Sequence, residues 1–199
     1  MARCVRGHFF VEYVRMIRRR KDVDWERVFP AEDLTYLKQP ILPNEWYPME
    51  TFERFGVAIL TEFEGVSLGA VRSWGKLSAS RYSAENPTLV AMNDPVESLM
   101  RLKVMRSTLF NFKAFDIPML GDRQARVAVT YHMGPVAEEA ACHQTMGFCE
   151  EVLSLAGATE IRAFFEERAW RGDPKTLFSL EWKGPENAGH IRAPAPPSR

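Results

Sequence analysis

Several features that would declare a function are missing from this sequence of 199 residues. Cysteine is scarce: Cys4, Cys142 and Cys149 are odd in number and two lie in one helix-like stretch, which excludes the disulfide framework of a secreted domain and fits thiols in a reducing cytoplasm. Net charge is absent, because 26 basic and 26 acidic side chains cancel. No global field therefore draws the chain to nucleic acid or to an anionic membrane. Long apolar runs are also absent. The opening MARCVRGHFFVEYVRMIRRRKD starts with basic and apolar residues, but Glu12 and the Arg and Lys residues after it interrupt the run before a signal-peptide core or a membrane span can form. A soluble, unexported protein is expected.

Catalytic signatures are missing too. There is no GxSxG, no cysteine in a catalytic local signature and no glycine-rich phosphate loop. His8, His132, His143 and His190 make no HExxH or other spaced ligand set, so no metal is predicted. The neighbouring carboxylates Glu138 with Glu139, Glu150 with Glu151 and Glu166 with Glu167 diverge in direction and read as solvated faces.

What is present is a core, at 46% hydrophobic content, and a readable order of elements. Phe9, Phe10, Tyr13, Val14 and Ile17 recur at helical spacing and predict a helix over 5–20, closed by the cations Arg18 to Lys21. WERVF and AEDLTYLK suit brief helices between prolines. In YPMETFERFGVAILTEFEG, Pro48 fits a first helical turn, Phe52, Phe55, Ile59 and Phe63 mark one face, and Gly65 stops the run, with another helix in VSLGAVRSWGKLSASRY. Asp94, Pro95 and Glu97 form a capping signature for a helix over 95–106.

After Arg106 the period changes to two. STLFNFKAF and ARVAVTYH read as a hairpin around the loop IPMLGDRQ, followed by a helix over 135–156 with Ala141, Thr145, Phe148, Val152 and Leu155 on one stripe and glutamates outside. TEIRAFFEERAW and KTLFSLEW, joined by RGDP, complete a ββαββ unit. The expected class is α+β: a helical half over 1–106 and an antiparallel-sheet unit over 107–183 in one compact domain, with a disordered proline-rich tail over 184–199.

One cluster invites a chemical reading. Cys142, Met146 and Cys149 stand at i, i+4 and i+7 of the last helix, with His143 adjacent, so soft ligands could share a face. The spacing is CxxxxxxC without a second pair, and Cys and Met also serve as ordinary packing residues, so both readings stay open and the four are candidate ligand-binding residues only. Phe110, Phe112, Phe115, Phe148, Phe164, Phe165, Trp170, Phe178 and Trp182 gather in the C-terminal unit, where they could line a pocket or fill a core.

WYPMETFERFG and GPVAEEAACHQTMGFCEEVLSLAGA, followed by a strand ending in FSLEW, resemble an uncharacterised paralogous family of myxobacteria. More distantly, the chain is similar to the superfamily that joins haem-dependent nitric-oxide-binding sensors to vinyl-4-reductase domains. The resemblance implies a small-molecule-sensing or protein-interaction module, with a pocket between the helical half and the sheet. In the haem-binding relatives an axial histidine precedes the sheet and a YxSxR motif holds the propionates. This chain has no histidine between Val90 and Tyr131, and in SRYSAEN Tyr82 and Ser83 are adjacent with no arginine at the required distance, which argues against haem. The expectation is therefore a non-enzymatic sensor-like module for a small apolar ligand, without a cofactor. The second reading is an interaction domain that docks or homodimerises through the sheet.

Overall fold

The computed structural model describes residues 2–184, so the tail beyond Gly184 lies outside the described residues. Cys4–Arg6 (β1) leads into Gly7–Arg19 (α1), Trp25–Val28 (α2) and Ala31–Lys38 (α3). Trp46–Pro48 (β2) pairs antiparallel with β1 and leads into Met49–Glu62 (α4) and Leu68–Glu85 (α5). The half expected to be all helical thus holds a small two-stranded sheet. At three residues each, these strands are too short to show a period of two. α1 buries Phe10, Tyr13, Val14 and Ile17 as its spacing predicts, with Phe10 stacked on Tyr47 at 4.5 Å between ring centroids. Its C-terminal cations are not all solvated, since the Arg18 guanidinium donates to the carbonyls of Tyr36 and Leu37 at 3.0 and 2.9 Å and thereby caps α3.

α4 buries Phe52, Phe55 and Ile59, and Gly65 ends the turn after it at φ +76°, a left-handed value that glycine adopts without strain. The Asp94 cap is as expected: its carboxylate accepts from the Glu97 amide at 2.9 Å and Pro95 opens the helix Pro95–Leu109 (α6).

The first strand of the C-terminal unit is displaced from its expected place. α6 continues through Ser107, Thr108 and Leu109, and the strand is Phe115–Leu120 (β3), across the stretch expected to be a loop. Pro118 lies within β3 and is tolerated there because β3 is a terminal strand with an irregular register between Asp116 and Met119. Gln124–Val129 (β4) pairs with it after a tight turn in which the Gly121 amide donates to the Gln124 carbonyl at 2.8 Å. Pro135–Leu155 (α7) then crosses to Thr159–Glu167 (β5) and Thr176–Lys183 (β6), giving an antiparallel sheet in the order β3-β4-β6-β5. On the outer side of β3, Lys103 and Arg106 of α6 donate to the carbonyls of Ile117 and Phe115 at 3.0 and 2.8 Å.

α7 is the central element, with α5 on one side and the sheet on the other. That position corrects the expected solvated face: Glu138 and Glu150 are only 4% and 6% exposed. Glu150 pairs with Arg72 of α5 at 2.6 Å and with Lys76 at 3.4 Å, while Glu138 accepts from the Met133 amide at 2.8 Å. α5 and α7 approach through glycine. A Cβ on Gly75 would lie 2.0 Å from the Gln144 carbonyl oxygen, and one on Gly147 the same distance from that of Arg72. The apolar core is one connected cluster running from Val5 to Trp182 through both halves.

Candidate functional site

Between the helical half and the ββαββ unit lies a small apolar cavity of about 40 Å³, room for roughly three water molecules. Phe9 of α1, Phe52 of α4 and Leu102 and Leu109 of α6 form one side. Phe110, Phe115 and Tyr131 close it from the sheet unit, and Ala141, Gln144, Thr145, Phe148 and Cys149 of α7 form the floor. The residues share α7 spacing at i, i+4 and i+8 through Ala141, Thr145 and Cys149, which is why one helix supplies so much of the wall.

Its polar atoms are organised among themselves. Thr145 donates to the Ala141 carbonyl at 2.9 Å, so the Tyr131 hydroxyl, 2.6 Å from Thr145 Oγ1, is the donor in that pair. The Tyr13 hydroxyl donates to Gln144 Oε1 at 2.8 Å, which leaves the Gln144 amide nitrogen as the hydrogen-bond donor on the wall without a protein acceptor among the described residues. Burial pushes the Tyr131 phenol up and the Cys149 thiol up to about 12, so both are neutral at physiological pH. A thiol held protonated is a poor nucleophile. The cavity carries no charged side chain and suits a neutral guest.

Of the four residues singled out on α7, only Cys149 reaches this cavity. Cys142 and Met146 are buried in the core, and burial raises the Cys142 thiol too. His143 is half-buried and set edge-on to Phe165 of β5 at 5.0 Å between centroids, with its pKa lowered by burial. Among the described residues no three His, Cys, Asp or Glu side chains are placed to hold a metal ion. Of the aromatics, Phe110, Phe115 and Phe148 line the cavity, while Phe178 and Trp182 fill the core. Nothing in the sequence marks Phe9, Phe52, Tyr131 and Gln144 as cavity residues, because four separate segments bring these side chains together.

No family model and no curated protein matches this chain, so the likeness to a myxobacterial paralogous family gains no support. Solved structures do match. An H-NOX protein from K. algicida in its Fe(II) unliganded form superposes with a TM-score of 0.63 at 12% identity, over 89% of this chain and 96% of its own. An H-NOX protein from S. oneidensis gives 0.60 at 11% identity over 92% and 98%, and a point mutant of T. Tengcongensis H-NOX gives 0.58 at 15% over 91% and 99%. The chain has the fold of H-NOX proteins, the more distant of the two resemblances.

This finding corrects the expectation that haem is unlikely. One of the matching structures probes heme distortion in the H-NOX family. Missing motif letters therefore do not separate this chain from a fold that serves haem elsewhere. As the side chains are packed, the cavity does not fit a porphyrin. No histidine lines it, and Phe9 closes on Phe110 and Phe148 at 6.1 and 6.0 Å between centroids. A macrocycle would require those three rings to part.

Proposed function

We propose that this chain is a non-enzymatic, sensor-like module that takes a small, neutral, mainly apolar ligand into the cavity between α7 and the helical half. The observation that carries this reading is an apolar cavity, free of charge, at the junction of the two halves of an H-NOX fold. Such cavities accept apolar guests because burial of apolar surface is favourable and the Tyr131, Thr145 and Ala141 groups on the wall are already hydrogen-bonded to one another. The free Gln144 amide nitrogen suits a guest with one acceptor atom. α7 belongs to the cavity wall, to the crossing with α5 and to the support of the sheet, so displacement of its cavity face by a guest would be felt on both sides.

Three cysteines without a disulfide partner support a cytoplasmic setting. No helix among the described residues is long and apolar enough to cross a membrane.

The test is a thermal-shift and ligand-observed NMR screen with haemin, small aromatics, short fatty acids and diatomic gases, run on the wild type and on Ala141→Leu, which fills the cavity. Stabilisation of the wild type by one class, lost in the filled variant, is expected. A wild type that responds to none of them sinks the proposal. If Ala141→Leu does not fold, Cys149→Met gives the same readout with a smaller increment of volume.

A further inference from the structure

The two edges of the main sheet are not equivalent. On the β3 edge, Lys103 and Arg106 occupy outward carbonyls. β5 is the terminal strand on the other side, with no neighbour beyond it among the described residues. Its outer face presents Glu160, Arg162, Phe164 and Glu166, all exposed; its pairing with β6 is regular from Arg162 to Phe165 and irregular on either side, between Thr159 and Arg162 and between Phe165 and Glu167. Phe164 is 47% exposed at the middle of the strand, an uncommon position for a large apolar side chain on an open edge.

We infer that β5 pairs antiparallel with β5 of a second copy of this chain, about a two-fold axis at Phe164. An isologous contact of this kind requires each residue to face a residue whose number mirrors it through the axis. Centred on Phe164, the mirror sets Phe164 against its own copy and Arg162 against Glu166 of the second copy, twice. Moving the centre to Ala163 sets Glu160 against Glu166, and moving it to Phe165 sets Arg162 against Arg168; both oppose like charges. Among these three registers, only the one centred on Phe164 is self-complementary.

The side chains are poised for that register. Arg162 makes no ion pair among the described residues, whereas the neighbouring charges do: Glu160 with Lys183 at 2.6 Å and Glu166 with Arg126 at 3.0 Å. Glu166 receives both Arg126 and the Ser179 hydroxyl on Oε1, which fixes the carboxylate on the outer face and leaves Oε2 for a second guanidinium. Charges on an edge strand ordinarily repel strand addition. Here they repel neighbouring registers and admit one. Backbone bonding along the edge supplies the affinity and the Arg162–Glu166 pairs supply the register.

Sedimentation velocity over a concentration series, with circular dichroism to confirm folding, tests this on the wild type, Arg162→Glu, Glu166→Arg and an equimolar mixture of the two variants. The wild type is expected to dimerise. Each variant alone opposes like charges at both sites and should bind itself roughly ten-fold more weakly or worse. In the mixture, the glutamate introduced at position 162 of one variant faces the arginine introduced at position 166 of the other, while the native Glu166 of the first faces the native Arg162 of the second. Both sites then oppose unlike charges, so the mixture should recover the dimer. A wild type that stays monomeric to about 1 mM, variants that dimerise as the wild type does, or a mixture that stays monomeric each overturns the inference. So does amide-exchange protection along the outer edge of β5 in a monomeric sample, which would place the occupant within the same chain.

Discussion

Gly147→Ala offers a sharp test of the α5–α7 crossing because two opposed effects set its sign. In an unobstructed helix interior, alanine in place of glycine stabilises by about 1 kcal/mol, through reduced backbone entropy in the unfolded chain and better helix propensity. At Gly147 the added Cβ would lie 2.0 Å from the Arg72 carbonyl oxygen, whereas ordinary contact begins at 3.4 Å, a shortfall of 1.4 Å. The obstacle is backbone, so the helices must separate rather than a side chain rotate. Overpacking of this kind costs about 1–3 kcal/mol, and separation also loosens the Arg72–Glu150 pair beside the crossing. A net loss of about 1 kcal/mol, and at most about 2, is expected after the propensity gain is subtracted. Urea denaturation followed by circular dichroism measures it, with Gly69→Ala as control: its Cβ meets only Ser67 Oγ at 3.6 Å, so that variant should be neutral or slightly more stable. Gly75→Ala, which strikes the same crossing from α5, should cost about as much, and the double variant less than the sum because separating the helices once relieves both clashes. A Gly147→Ala protein about 1 kcal/mol more stable than the wild type would refute the close approach.

Other outcomes follow from buried charge, titration and thiol burial. Arg72→Met leaves the Glu150 carboxylate buried with only Lys76 near it and should cost about 3 kcal/mol by chemical denaturation, more than Glu150→Gln, whose orphaned arginine is better exposed. Asp116 is hydrogen-bonded by Lys113 and Lys103, which hold its pKa at about 2 against an ordinary 3.8. Because the folded value is the lower, its stabilisation is present above about pH 4 and disappears as pH falls through 2, so the stability gap between wild type and Asp116→Asn should close over that window in acid-unfolding curves. Ellman's reagent should find one accessible thiol, Cys4, in the native protein and three after denaturation; fast reaction of Cys149 would contradict its burial. Tyr131→Phe removes a donor to Thr145 and should destabilise by about 1 kcal/mol, read from the shift in urea midpoint at constant slope.

The helices were legible in the sequence because their causes are local. The stripe on α1, the Asp94 cap of α6 and the Gly65 stop need only neighbouring residues to operate. β3 was not, since whether Pro118 breaks a strand depends on whether its edge is free, and that depends on a helix packing from outside. The burial of Glu150 was equally hidden: its partner is 78 positions away on α5. The place of the cavity, between the helical half and the sheet, came only from the resemblance, and of its lining Phe110, Phe115, Phe148 and Cys149 were already singled out while the contribution of α1 and α4 was hidden for the same reason. The case against haem rested on two local strings, whereas the likeness to H-NOX structures resides in the course of the backbone at 11–15% identity, where such strings carry little weight.

The occupied carbonyls on β3 bear on how far this protein can assemble. A sheet open at both sides can be extended without limit, each added chain presenting a fresh template, and that is the route to fibres. Here Lys103 and Arg106 hold the β3 side, so a chain that gains a strand on β5 has no further template to offer. With β5 paired as inferred above, association through this sheet would terminate at two subunits. Removing those two cations, rather than altering β5, is the change that would turn a closed pair into a polymer.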